Sequence, residues 1–328
     1  MDKREKVMSM RFRTAAALSA FSVFLVLAAV PAAQAQSGLF DSFRAQAPAV
    51  DQSGRREWVW QGKDSLRYGG SGHVRYELGG TPRIIVTGDP EEVANIEVDG
   101  GTIRRRDTPG FNFNFRRSDS KLEILVQGVT LDQFDLSGSA TMDLGRLQRD
   151  MLDLRVRGSG TLNAQGQAKH LNLEVDGSGR ANLDQFSAGA ADITVTGSGS
   201  ITAGAIAEGA NIRVTGSGKA KVGDIGKNAD IRVTGSGTAT LGRVGDVNVK
   251  LLGSAKVQLA SQPQHSDYSI MGSGKVVMVG ADGKITELAG KELERAQRER
   301  EREAARAERN REQAERDRER AQRERDRN

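Results

Sequence analysis

The stretch Gly216-Ser-Gly-Lys-Ala-Lys-Val-Gly-Asp-Ile-Gly-Lys-Asn-Ala-Asp-Ile-Arg-Val-Thr234 ends where Gly235-Ser-Gly237 opens the same pattern again. Eight Gly-Ser-Gly or Gly-Ser-Ala triplets begin at Gly138, Gly158, Gly177, Gly197, Gly216, Gly235, Gly253 and Gly272, rising in steps of 20, 19, 20, 19, 19, 18 and 19. A period this regular marks a stacked solenoid. Apolar residues keep fixed columns. Four positions after the first Gly stand Met142, Leu162, Ala181, Ile201, Ala220, Ala239, Val257 and Val276. Six positions after it stand Leu144, Ala164, Leu183, Ala203, Val222, Leu241, Leu259 and Met278. Alternating pairs such as Leu173/Val175, Ile193/Val195, Ile212/Val214 and Ile231/Val233 close the units. Period-two alternation rich in β-branched residues is strand.

A unit of about 19 residues cannot bury its apolar face alone, but it can when stacked on its neighbours. The pattern predicts an all-β fold, a single-stranded, right-handed parallel β-helix of ~19-residue coils. At roughly 4.8 Å per coil, eight coils span about 38 Å. The corner Gly supplies a positive φ, and the Ser beside it is placed to form a ladder of stacked hydroxyls. A leucine-rich repeat of similar period needs a Leu-rich helical segment in each unit, and none is present.

Composition agrees with a narrow interior. Aromatics are 5% of the chain and hydrophobics 37%, so small aliphatic side chains build the core. The 39 Gly against 6 Pro do not follow the collagen period. With no Cys, disulfides, thiolate metal sites, Cys nucleophiles and an acylated lipoprotein anchor are excluded.

The net charge of +5 suggests nucleic-acid binding until it is divided along the chain. Residues 1–35 carry five basic and two acidic side chains, and residues 291–328 carry 14 and 12. The body between them holds 29 of each, so no basic footprint for nucleic acid is expected.

Lys3, Arg4, Lys6, Arg11 and Arg13 precede an apolar run from Ala15 to Val30 that ends in Ala33-Gln-Ala35. That order predicts a signal peptide over 1–35, with Met1, Met8 or Met10 as the start. The apolar run is shorter than the roughly 20 residues of a spanning helix, so no transmembrane segment is expected once the signal is removed. Residues 36–54 read as a flexible lead-in. Residues 55–137 read as an N-terminal β region or cap, with candidate strands at 57–60, 73–78, 83–87, 95–99 and 122–127. Residues 138–285 read as the regular β-helix. Residues 286–328, rich in Glu and Arg at helical spacing (Glu294/Arg298, Glu312/Arg316), read as a charged tail, α-helical or disordered, through which the chain could associate.

The same columns carry no catalytic or cofactor signal. Gly223-Asp-Ile-Gly226-Lys227 and Gly280-Ala-Asp-Gly283-Lys284 lack phosphate-loop spacing. The position after each triplet holds Thr141, Thr161, Arg180, Ser200, Lys219, Thr238, Lys256 and Lys275, where a calcium β-roll needs Asp nearby. His73, His170 and His265 have no second ligand at metal spacing. Asp143, Asp184, Asp224 and Asp246 sit in separate coils, and the units are too short to hold the long loops that wall a glycan-cleaving groove. Trp58, Trp60, Phe111, Phe113 and Phe115 read as core or cap, with a stacking surface for sugar or peptide as the alternative. No catalytic, cofactor-binding or metal-binding residue is expected.

The Val-Thr-Gly-Ser-Gly units, preceded by Ile84-Ile-Val-Thr-Gly-Asp89 and Asn95-Ile-Glu-Val-Asp-Gly-Gly101, resemble the bacterial family named putative auto-transporter adhesin, head GIN domain, over roughly residues 55–280. The resemblance implies a binding role and carries no catalytic residues. The chain departs from an autotransporter in ending Arg325-Asp-Arg-Asn328 with no aromatic-ended barrel strand, so self-translocation is not expected. The expected protein is exported to the periplasm or outer surface of a Gram-negative cell and is not an enzyme. It would bind an unknown envelope polymer or protein along its strand faces. The alternatives are a scaffold assembling end to end, as bactofilin-type β-helices do, and a polysaccharide-cleaving β-helix.

Overall fold

The structure, a computed structural model, describes residues 49–51, 53–106, 122–280 and 282–325, all within the compact unit Ala47–Asn328. The expected signal peptide at 1–35, most of the lead-in, and Phe111, Phe113 and Phe115 lie outside the described residues.

The N-terminal end is assembled from β1 (Arg55–Val59), β2 (Ser65–Gly70), β3 (His73–Glu77), β4 (Arg83–Thr87), a short helix α1 (Pro90–Ala94), β5 (Ile96–Asp99), β6 (Thr102–Arg105) and β7 (Glu123–Gln127). The last residues of the segment read as lead-in form a turn: Asp51 accepts from the backbone N–H groups of Ser53 and Arg55 at 2.9 and 2.8 Å. Helix α1 starts where its local chemistry requires. Asp89 caps the Glu91 N–H, Pro90 takes the first helical position, and Glu91 and Glu92 face the positive end.

The regular stack comes next. One face consists of β8 (Gln133–Gly138), the second half of β9 (Thr141–Gly158), the second half of β10 (Thr161–Gly177), β12 (Phe186–Gly197), β14 (Ala210–Gly216), β16 (Ile225–Gly235), β18 (Val244–Gly253) and β20 (His265–Gly272). After each triplet the chain turns onto a second face, made of the starts of β9 and β10, then β11 (Arg180–Leu183), β13 (Ser200–Ala203), β15 (Lys219–Val222), β17 (Thr238–Leu241), β19 (Lys256–Leu259) and β21 (Lys275–Val279). A third face passes through Ala168, Ala188, Ile206, Ile225 and Val244. Every inter-coil pairing from β8 to β21 is parallel, and all eight triplet glycines stand in register. The all-β solenoid read from the triplet period is therefore the fold.

A ninth triplet, Gly70-Ser71-Gly72, joins the column: Gly70 pairs with Gly138 although 68 positions separate them. The chain between is an insertion that builds the cap. β6 lies parallel to β2 and β7 parallel to β3, adding one more layer. Antiparallel β5 on β6, β4 on β7 and β1 on β4 then finish the sheets. This end thus holds both a further parallel layer and an antiparallel sheet. Antiparallel cover turns away the row of unpaired backbone groups that a β-helix end would present.

At the other end the charged segment begins later than its composition suggests. Ile285–Gly290 is a strand, β22, antiparallel to β21, and the helix α2 runs from Lys291 to Arg325. Residues 298–316 of α2 are almost wholly exposed, with Glu312 and Arg316 paired at 3.7 Å. Among the described residues no helix is long and apolar enough to cross a membrane. Among the described residues β20 has a strand partner, β18, on one side only. Its Tyr268 and Ile270 are half-buried, and the stacked pair Leu252 and Met271 is exposed.

The core follows from the columns. The unit 216–234 buries Ala220, Val222, Ile225, Ala229, Ile231 and Val233, which is its entire apolar content. Each Ile or Val so buried contributes about 1.5–3 kcal/mol, against an ordering cost of about 1–2 kcal/mol per residue. Burial on both sides of each coil is thus a condition for the fold. Three of the buried aromatics, Tyr68, Tyr76 and Phe134, gather in the first coil. Tyr76 meets Phe134 edge-on at 5.0 Å, and its hydroxyl donates to Val129 O at 2.6 Å. Burial pushes the neighbouring Tyr68 hydroxyl up to about 12, and that hydroxyl donates to Ser71 O.

The triplets work through backbone. Ser217 N–H donates to Gly197 O and Lys219 N–H to Gly199 O, both at 2.9 Å, and the bonds repeat up the stack. The triplet serines are exposed, and their N–H groups make these inter-coil bonds; the expected hydroxyl ladder is not what holds the corner. Side-chain ladders occur instead on the strands, where Asn163 donates to Asp143 at 2.6 Å and Asn182 donates to Asn163 at 2.9 Å. An amide has both donor and acceptor, so a column of Asn can satisfy itself coil after coil.

Candidate functional site

Alternation puts every second residue of each strand outward, so the faces are rows of polar side chains about 4.8 Å apart. The second face is the longest. Its strands continue without a break from β1 through β4, β7 and β3 into β9, β10, β11, β13, β15, β17, β19, β21 and β22.

The insertion brings His73 beside Asp143, which are 70 residues apart, with Nε2 and Oδ2 at 2.5 Å. Arg75 stands opposite Asp143 in register. Burial pushes the Asp143 carboxyl up, but hydrogen bonds from Asn163 and His73, then the charges of His73 and Arg75, outweigh it and hold its pKa below the ordinary 3.8. Next to it a recess of ≈ 180 Å³ is lined by Arg55, His73, Arg75, Thr87 and Glu123. The pairing of His73 with Asp143 is invisible in the chain order. Aligning Gly70-Ser71-Gly72 with Gly138-Ser139-Ala140 discloses it.

The third face pairs cations with acids one coil earlier: Lys169 with Asp150 at 3.0 Å, Arg243 with Asp224 at 2.7 Å, His265 with Asp246 at 2.9 Å and Lys227 with Glu208 at 3.9 Å. Arg149 pairs with Asp132 at 3.1 Å. Bonds from the Arg243 backbone N–H and then its guanidinium hold Asp224 below its usual range. On the first face Arg155 bridges Asp153 and Glu174, and Arg157 pairs with Asp135. Asp143, Asp224 and Asp246, considered for acid–base work, thus each serve a neighbour in the next coil, while Asp184 lies exposed in the turn after β11. His170 is exposed in the middle of β10. Among the described residues no three His, Asp or Glu side chains gather as a metal ligand set.

Gly223-Asp-Ile-Gly226-Lys227 crosses a corner, with Ile225 in the core and Lys227 on Glu208, and no helix follows it. Trp58 and Trp60 pack half-buried against the cap. The Arg56 guanidinium lies 4.8 Å from the Trp58 ring. Burial, and then the charge of Arg106, lower the Arg56 pKa, and its Nη1 reaches Ala94 O and Ile96 O at 3.3 and 3.4 Å.

These carboxylates predict acid sensitivity. A folded pKa below the unfolded value means that the unfolded chain binds protons first, so stability falls as pH drops. The contribution of Asp143 is full above its ordinary 3.8 and is lost as pH falls through its depressed folded value. Asp224 is the more exposed and better screened of the two, so Asp143 contributes more. Thermal melts from about pH 2 to 7 should be flat above pH ~5 and drop below pH ~4. Asp143→Asn should flatten that drop; an unchanged profile would show that the pairing is idle.

No curated protein matches the sequence. Solved structures share the fold. A putative lipid binding protein from Parabacteroides distasonis superposes with a TM-score of 0.59 at 20% identity, over 69% of this chain and 96% of that one. A putative adhesin from Parabacteroides merdae gives 0.56 at 18% identity, over 69% and 95%. A putative adhesin from P. distasonis gives 0.57 at 18% identity, over 69% and 96%. At such identities the likeness is one of fold. The family model described as putative auto-transporter adhesin, head GIN domain, matches residues 64–242, more than half of the chain and every coil from the ninth triplet to β17. The chain belongs to that family.

Proposed function

We propose that the protein is an exported, non-enzymatic β-helix of the bacterial envelope that acts as an adhesin-like module, holding a polymer or protein along its strand faces. The observation that carries this reading is the second face, a continuous hydrogen-bonded sheet of outward polar residues whose units are too short to interrupt it with loops. Such a surface repeats one weak contact many times, and the repetition multiplies affinity. Glycan cleavage calls for two carboxylates spaced about 5–9.5 Å across one bond, whereas Asp143, Asp224 and Asp246 each hold a side chain of a neighbouring coil. Family membership and the adhesin names of the structural neighbours support the same role.

The experiment is protease treatment of intact and permeabilised cells, combined with sedimentation of the purified chain with isolated envelopes. Retention on envelopes is expected, with cleavage in intact cells if the chain is on the surface and only after permeabilisation if it is periplasmic. A chain that stays in the cytosolic fraction and does not sediment with envelopes would overturn the reading.

A further inference from the structure

The ion-pair ladders leave two columns of cations out, and only one of them is free of nearby acids: Arg213, Arg232 and Lys250 on the first face run beside Asp192, Asp230 and Asp267. On the second face β11, β15, β19 and β21 project Arg180, Lys219, Lys221, Lys256 and Lys275 outward. None of the five forms an ion pair among the described residues, and all are exposed except Lys256, which is half-exposed. From β11 to β21 these strands carry no Asp or Glu at all. The nearest carboxylates along the sheet are Asp143, occupied by His73 and Asn163, and Glu287 on β22, beyond the last of the cations. The third face, by contrast, gives Arg149, Lys169, Lys227, Arg243 and His265 an acid one coil away. In a body with 29 basic and 29 acidic side chains, the second face from β11 to β21 is thus a strip of cations with no acid on its own strands.

The strip has a direction. Lys219, Thr238, Lys256 and Lys275 succeed one another in a single register column, with Arg180 and Ser200 before them. Lys219 and Lys256 are two coils apart, roughly 10 Å, and the column follows the solenoid axis. Beside it the outward column Asn182, Thr202, Lys221, Thr240 and Gln258 supplies donors and acceptors. We propose that this strip is the site for a linear acidic polysaccharide laid across β11 to β21, parallel to the axis. The inference rests on the binding role proposed above and names its ligand class. Line geometry favours a chain over a membrane plane: the flanking first and third faces mix acids with bases, and the second face carries no exposed large apolar side chain between β11 and β19 to enter a bilayer. Exposed lysines bind carboxylates weakly and additively, so the contact is salt-sensitive and gains from length.

The test uses the mature chain with polygalacturonate as the probe, dextran as its neutral counterpart and anionic phospholipid vesicles as the membrane arm, measured by affinity electrophoresis and biolayer interferometry. The triple variant K219T/K221T/K256T removes three cations. Thr already occupies the same columns at Thr161, Thr202, Thr238 and Thr240 and suits a strand, so the fold is retained. A second variant with the same change in net charge, K169T/K227T/R243T, alters only the paired third face. The wild type should bind polygalacturonate and not dextran, and more weakly as salt rises. The first variant should lose about tenfold to a hundredfold, at roughly twofold to fivefold for each of its three exposed contacts, and the second should stay within about twofold. Equal losses in the two variants would show that only net charge matters and overturn the strip. Binding to vesicles with polygalacturonate silent would overturn it in favour of a membrane. Unchanged retention of the first variant on envelopes would overturn the strip while leaving the binding role intact, whereas failure of the wild type on envelopes would remove the role itself.

Discussion

Gly216→Ala is expected to destabilise the protein by more than ~3 kcal/mol, because it combines two penalties that are separable elsewhere in the same chain. Gly216 has a φ of +104°, and a Cβ built there comes to 2.6 Å from Gly197 O in the coil below. That oxygen accepts the Ser217 N–H that locks the corner, so it cannot retreat without breaking the bond. The positive φ alone costs a non-Gly residue roughly 1–2 kcal/mol. Gly79, with a φ of +94° and nothing within 4 Å of its Cβ, isolates that first penalty. Urea denaturation of Gly216→Ala beside Gly79→Ala therefore measures the inter-coil contact by difference. Equal losses would mean that the stack relaxes around the methyl group and that the corners are looser than their register implies.

The second large effect is Ile212→Ala, expected to cost about 2–5 kcal/mol. Ile212 is fully buried, with Ile193 and Ile231 directly before and after it in register. Removing it leaves a void with backbone-locked coils on both sides, which cannot collapse inward as a loose core would. Since each coil touches only its neighbours, a gap in the middle also weakens the coupling of the two halves. Calorimetry should show a lower and broader transition. Ile270→Ala in the last coil, where the side chain is already half-exposed, should cost less than ~1.5 kcal/mol. A comparable loss at both positions would refute the view that stability is set by neighbours on each side.

The regular coils are legible because their determinants are local: a corner Gly, two alternating pairs and a fixed period, each stated within one unit. The parts that escape a sequence reading are non-local. Gly70-Ser71-Gly72 belongs to the same column, but the cap-building chain between Glu77 and Thr130 hides its period. β2, β6 and β8 are hard to see because their inward residues, Leu66/Tyr68, Ile103 and Phe134/Leu136, are too few per strand to show alternation against background. The Asp89-Pro90 start of α1 is a legible helix signal, outweighed by the strands on either side of it. β22 merges with the charged tail because Glu287 resembles the Glu-rich helix beyond it. The lysines of the second face are visible as a column in the sequence. Their significance is not, since a cation is unmatched only with respect to neighbours that sequence order does not disclose.

The insertion between Gly70 and Gly138 also fixes an order of events. A coil of the regular stack closes within a single repeat unit, a short loop with a small entropic cost. The first coil closes only when β2 meets β8 and β3 meets β9, so residues 65–77 have no floor until residues 133–143 have been made. A chain that emerges from its N-terminus must hold the inward side chains of β2 and β3, Leu66, Tyr68, Val74 and Tyr76, uncovered on that side for the interval, and the cap is completed by its downstream neighbour. The step that limits the rate of folding should therefore lie at the capped end, and the coils behind it should add one after another like links on an anchored chain.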